Sequence, residues 1–168
     1  MDKFEYRKTL AGRLDSLIDV GFATFRGFVR LVLGELEFVS GRLQPFVQIR
    51  PKEVRRLVFV CLGNINRSAF ADVVATGLGA HSASFGLSTN TGEPAFEKAV
   101  STAPVYGYDL AAHRATNFPD YTFQPGDLLL AMEVRHVREL VRRGIPEDSI
   151  ALLGHWARPH RIHIHDPH

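Results

Sequence analysis

The sequence predicts an α/β fold, a parallel sheet with helices on both faces, preceded by a helical extension. Two observations carry this. From Arg56 onward, short apolar runs alternate with segments of helical pattern, the strand, crossover helix and next strand that build a parallel sheet. Before about residue 50, apolar residues instead recur at steps of three and four, which marks one face of an amphipathic helix. Length and composition agree: 168 residues, 45% hydrophobic and 23% charged, suit a soluble domain able to bury a core and exclude a disordered or collagen-like chain.

In the extension the stripe runs through Ala11, Leu14, Ile18, Phe22, Phe25, Val29, Val32, Leu36, Val39 and Leu43, and none of these is charged. One straight helix over that span would be about 50 Å long at 1.5 Å per residue. A break near Gly21 or Gly34, or a helical partner, is therefore expected. The stripe either packs on the protein's own core or forms a coiled-coil contact, making a homodimer through this helix possible. Gly41, Pro45 and Pro51 end the pattern, dividing the chain into an extension, residues 1–50, and a core, residues 51–168.

Within the core, Leu57 to Val60, Ser84 to Leu87, Asp127 to Ala131 and Ile150 to Leu153 read as buried strands. Ser68 to Leu78, Pro94 to Tyr106 and Glu133 to Arg143 read as helices, the second opened by proline and the third closed by Gly144. There are 20 basic against 18 acidic residues, a balance that argues against nucleic acid or an anionic membrane as partner. Charged residues interrupt the first seventeen positions, so no secretory apolar region is expected there. No apolar run approaches the roughly 20 residues of a membrane span. The single cysteine, Cys61, forms no internal disulfide, which suits a reducing cytoplasm.

The chemistry concentrates in VFVCLGNINRS, Val58 to Ser68. Here an apolar strand runs into Cys61, the loop Leu62, Gly63, Asn64, Ile65 and Asn66, then Arg67, Ser68 and a helix. Backbone N–H groups of such a loop, with the positive end of the helix, cradle a tetrahedral oxyanion. The same field favours a thiolate and so a nucleophilic Cys61. Arg67 suits the anion because its planar fork holds two phosphate oxygens at once. Gly63 permits the tight turn, Asn64 tolerates a left-handed backbone, and Ser68 can donate to the thiolate. From spacing alone the competing reading is a buried, inert cysteine at a strand end.

LVFVCLGNINRSAFAD resembles the active-site segment of low-molecular-weight protein tyrosine phosphatases. The likeness continues through Ser84-Phe85-Gly86, Gly92-Glu93-Pro94, GYDLAAHRA at Gly107 to Ala115, DLLLAM at Asp127 to Met132, LLG at Leu152 to Gly154, and Asp166-Pro167. It covers about Arg56 to His168. The resemblance implies a four-stranded parallel sheet in the order 2-1-3-4 with the phosphate loop at the carboxyl end of the first strand. It makes Cys61 the nucleophile, Arg67 the residue that holds the phosphoryl group, and Asp166 the general acid and then base. That last role implies a bell-shaped, mildly acidic pH profile. Residues 62–68 bind phosphate, and Asn64 with Ser84 braces the loop. No metal and no cofactor is implied. The expected substrates are phosphotyrosine in proteins or small aryl phosphates.

The departures from that family matter equally. Asn66 stands where a second, protective cysteine often occurs, Asn90 where an aromatic wall is expected, and His168 where tyrosines follow Asp-Pro. The family's C-terminal helix is also missing from the sequence, and the extension is expected to cover the sheet in its place. Two other functions remain in view: arsenate reduction on the same fold, whose relay needs further cysteines, and a non-catalytic phosphate-binding module with the extension as interaction element. The histidine-rich tail, His155 to His168, reads as a solvated run, Trp156 as half-buried packing, and His113 and Arg114 as structural.

Overall fold

The computed structural model describes residues 25–49, 53–158 and 160–166. Ala11, Leu14, Ile18, Gly21, Phe22 and His168 of the sequence reading lie outside the described residues. Four strands form, β1 Arg56–Cys61, β2 Ser82–Gly86, β3 Asp127–Ala131 and β4 Ile150–Leu152. All pair in parallel, in the order β2-β1-β3-β4, as the resemblance implied. The α-helices are α1 Phe25–Val39, α2 Arg67–Gly77, α3 Glu97–Thr102 and α4 Val134–Arg142.

The period-two geometry of the strands divides the core. Val58 and Val60 of β1, Leu129 and Ala131 of β3, and Ile150 and Leu152 of β4 join Val137 and Leu140 of α4 on one face. Phe59 and Cys61, Leu128 and Leu130, and Ala151 point to the other, where Ala71 and Ala75 of α2 pack. Each fully buried Leu or Ile contributes about 2 kcal/mol by leaving water. The central strand β1 is flanked by β2 and β3, so the chain departs to opposite sides around it and a crevice opens at its carboxyl end. Cys61 is the last residue of that strand.

The helix expected over Pro94 to Tyr106 is much shorter. Only Glu97–Thr102 is α-helical, and Ala103–Tyr106 tightens to a 3-10 turn. Pro104 has no N–H to give the carbonyl four residues back, so the α-helical ladder stops. Pro94 itself pairs with Arg114 in an isolated antiparallel bridge.

The extension departs from its expected form in two ways. Helix α1 runs unbroken through Gly34, which is buried where α1 meets Val134 of α4 and Ile162. The apolar stripe does not, as a whole, pack on the core. Leu43 is buried at 3% exposure, but Val29, Val32, Leu36 and Val39 stand 38 to 82% exposed. The helix seats a different face, with Gly34 and Phe38 toward the domain, Phe38 against the rings of His155 and His160, and Glu37 paired with Arg138 at 2.5 Å. Leu43, Phe38 and Phe46 thereby join the α4 side of the core.

Candidate active site

The loop between β1 and α2 is held by its carbonyls. Cys61 O accepts from Leu87 N at 3.0 Å, Leu62 O from Ser88 N at 2.9 Å, and Ile65 O from Phe96 N at 2.8 Å. Asn64 O lies 2.7 Å from His113 Nε2, and because a carbonyl only accepts, that ring nitrogen carries the proton and donates. A trans peptide points its C=O and the following N–H in opposite directions. With these four carbonyls turned outward, the N–H groups of Leu62, Gly63, Ile65 and Asn66 point into the loop.

Asn64 sets the side-chain chemistry. It is fully buried and left-handed, φ 51°, a conformation asparagine adopts at less cost than most residues. Thr116 N donates to its Oδ1 at 2.9 Å, which fixes the amide's orientation and turns Nδ2 to Ser68 Oγ, 2.9 Å away. With its oxygen already accepting, Ser68 directs its own hydrogen to Cys61 Sγ at 3.0 Å. Asn64 N donates to the same sulfur at 3.2 Å. Two donors therefore converge on Sγ, an arrangement that stabilises a thiolate. The pairing expected between Asn64 and Ser84 is corrected here: Ser84 Oγ donates to Asp72 Oδ2 at 2.9 Å. Ser84 lies near the middle of the β2 register opposite Phe59, below the loop, so Ser68, Thr116 and His113 brace Asn64 in its stead.

Arg67 opens α2 with its side chain 7% exposed. One terminal nitrogen, Nη1, donates to Glu133 Oε1 at 2.6 Å and to Ile164 O at 2.9 Å. The other, Nη2, donates to Asp166 Oδ2 at 2.6 Å. Glu133 follows β3 at the N-cap position of α4, 1% exposed and with no side-chain capping bond, and it also pairs with Arg135 at 2.7 Å. Burial alone would raise its carboxyl, but the bond to Arg135, the neighbouring His136 and the bond to Arg67 outweigh it and hold it down at about 2. Burial pushes the His136 imidazole down to about 3 despite the pull of Glu133. Glu133 is thus an ionised, buried anchor beneath Arg67, and the sequence reading missed it. The available signal was an acidic residue at the carboxyl end of a predicted β3, where open α/β sheets place functional groups. His113, read as structural, does that work here by holding the Asn64 carbonyl, whereas Thr116 was missed for want of a local signal, because it reaches Asn64 from about 50 residues away in sequence.

A cavity of about 150 Å³ is lined by Cys61, residues 62–67, Ser88 and Asp166. A second, mostly apolar groove of about 350 Å³ lies across Asn66 and Arg67, bounded by Phe70, Tyr106, Leu153 and Ile164. Asn90, where an aromatic wall is expected, is exposed beyond β2. Trp156, 43% exposed, packs edge-on against His155 and does not line the cavity.

Close approach of β2 to the loop makes Gly86 sensitive. A Cβ there would lie 2.8 Å from Leu62 O and 3.0 Å from Gly63 C, both backbone atoms. The Gly86→Ala variant is expected to lose about 1–3 kcal/mol of stability and about tenfold or more in turnover as the loop is displaced. Denaturant unfolding and aryl-phosphate turnover check both numbers.

A thiol and an arginine at the two ends of an anion-sized backbone cradle, raised on the central strand of a parallel sheet, define a cysteine-dependent phosphatase. The family described as low molecular weight phosphotyrosine protein phosphatase matches residues 56–168, and the chain belongs to that family. Among solved structures, the chain is similar to the tyrosine phosphatase AmsI of Erwinia amylovora, at 28% identity over 72% of this chain and 81% of that one, TM-score 0.59. It is similar to Vibrio vulnificus Wzb in complex with benzylphosphonate, at 25% identity over 68% and 82%, TM-score 0.58. The YwlE arginine phosphatase of Geobacillus stearothermophilus matches at 25% identity over 67% and 75%, TM-score 0.56. A comparison with curated proteins finds no match. Among the described residues, no helix is long and apolar enough to cross a membrane.

Proposed function

We propose that the protein hydrolyses aryl phosphomonoesters, with phosphotyrosine in proteins as the main substrate and small aryl phosphates as others, through a cysteinyl-phosphate on Cys61. The observation that carries this is the convergence of Ser68 Oγ and Asn64 N on Cys61 Sγ at the floor of the 150 Å³ cavity, with Arg67 and Asp166 at its wall. In the first step Sγ attacks phosphorus, the S–P bond forms, the P–O ester bond breaks, and Asp166 passes its proton to the departing phenol oxygen. In the second, water attacks phosphorus, Asp166 takes its proton, the S–P bond breaks and inorganic phosphate leaves with the thiolate restored. The inward N–H groups of residues 62, 63, 65 and 66 and the Arg67 guanidinium stabilise the equatorial oxygens throughout.

The rim favours a neutral ring over a guanidinium leaving group. Leu62 and Ile65 are its apolar members, and the lining offers one carboxylate, Asp166, already engaged with Arg67. The benzylphosphonate held by the Vibrio vulnificus relative has the chemistry of the same substrate class. Because Cys61 works as a thiol, a reducing cytoplasm is the fitting compartment. The test compares turnover of para-nitrophenyl phosphate, a phosphotyrosine peptide and phosphoarginine across pH about 4.5 to 8. Aryl turnover on a bell-shaped profile, with phosphoarginine at least about tenfold slower, is the expected result. Faster phosphoarginine turnover overturns the substrate assignment, and phosphate binding without any turnover overturns the mechanism.

A further inference from the structure

Helix α1 is apolar on two opposed faces, and the domain uses only one. Gly34 and Phe38 turn toward the protein, meeting Val134, Ile162 and the His155 and His160 rings. On the far side Val29, Val32, Leu33, Leu36 and Val39 are 38%, 41%, 53%, 61% and 82% exposed. These five are half of the exposed large hydrophobics among the described residues, gathered on one helix of 15 residues. A contiguous apolar face left in water marks an interaction surface, so the outer face wants a partner.

The spacing identifies the kind of partner. Val29, Val32, Leu36 and Val39 are separated by three, four and three residues, and the same alternation continues upstream in the sequence through Phe25, Phe22 and Ile18. An apolar period of 3.5 residues is the seam of two helices wound together. A matching repeat must come from the other helix, and among the described residues α2, α3 and α4, of 11, 6 and 9 residues, are shorter than the seam's own helix. A membrane surface fits less well: α1 carries Glu35 and Glu37 beside Arg26 and Arg30, whereas helices that lie on lipid are rich in Lys and Arg alone on their polar face.

We propose that the outer face of α1 is a homodimer seam, occupied by the same face of a second copy of this chain in a two-fold, self-complementary contact. None of the outer-face residues lines the phosphate-loop cavity, so dimerisation and turnover separate experimentally. Sedimentation of the full chain from low to high micromolar concentration is expected to give a monomer–dimer equilibrium. Leu36→Glu and the milder Leu36→Gln, both at an exposed position, weaken it at least about tenfold while far-UV circular dichroism and aryl-phosphate turnover stay unchanged. A wild-type chain monomeric throughout overturns the proposal, as does a dimer that Leu36→Glu leaves intact. A monomer that sediments with phosphatidylcholine vesicles through Leu36 also overturns it, in favour of a lipid surface. A chain without turnover that still dimerises through Leu36 leaves this proposal standing and refutes the catalytic one.

Discussion

Replacing Cys61 with serine is expected to lower phosphomonoester turnover by about 10⁴-fold or more, the scale on which removal of a covalent nucleophile acts. The physical reason is ionisation. A thiol can become the thiolate that the Ser68 hydroxyl and the Asn64 N–H stabilise, whereas a serine hydroxyl stays protonated in the same field and is a poor nucleophile toward phosphorus. The substitution should leave the fold alone. Cys61 is 3% exposed and packs in the α2-side core, and serine is slightly smaller and keeps both hydrogen-bond partners. Phosphate should therefore still bind, because the loop N–H groups and Arg67 are untouched. Rapid-quench trapping of a phosphorylated wild-type enzyme, absent in Cys61→Ser, completes the measurement. A serine variant that keeps wild-type turnover would remove Cys61 from the mechanism.

Asp166→Asn is expected to separate rate from binding. The amide has no proton to release to the phenolate, so turnover falls by about 10²–10³-fold, as for loss of a general acid, and the pH limb owed to that acid disappears. Binding moves the other way. Asp166 Oδ2 accepts from Arg67 Nη2 at 2.6 Å, while Glu133 Oε1 and Ile164 O accept from Nη1. An incoming phosphoryl group must take the Nη2 position from Asp166, and it meets that carboxylate's negative charge as it does so. Asparagine removes both obstacles, so phosphate and orthovanadate inhibit Asp166→Asn more tightly than wild type. Glu133 remains beneath Arg67 in either case and keeps the guanidinium aimed. Unchanged turnover in Asp166→Asn would reassign the acid, and weaker phosphate binding would mean that the carboxylate positions Arg67 instead of competing for it.

Much of this was legible because the signals are local. The alternation of Val58, Phe59, Val60 and Cys61 between two core faces is written in a four-residue apolar run, and the strand-loop-helix around Cys61 is contiguous in sequence. Gly144 closed α4 within a residue of its expected end. The helix expected from Pro94 to Tyr106 is shorter in the fold, because Pro104 breaks the α-helical ladder and Pro94 joins an isolated bridge. The brace that the resemblance implies at Ser84 falls elsewhere, because Ser84 bonds Asp72 on α2 and the loop residues Thr116 and His113 are the ones that reach Asn64.

The apolar stripe of the extension shows the remaining division most clearly. Its period is a property of the sequence alone and determines that residues 25–39 form an amphipathic helix. Which side of that helix the domain takes was decided by tertiary packing: the small Gly34 lets α1 meet Val134 and Ile162, and the Glu37–Arg138 pair holds that orientation. The same holds at the site. The sequence by itself determined the C-x5-R loop, its place at the end of β1 and its family, because a contiguous backbone cradle needs no distant partner. The buried Glu133 beneath Arg67, the His113 and Thr116 bonds to Asn64, and the closing of Asp166 over the cavity were decided only when the sheet brought β3, the loop after β2 and the chain's last segment to one edge. Charges and polar groups so placed are stable only with partners, and those partners are neighbours in space alone.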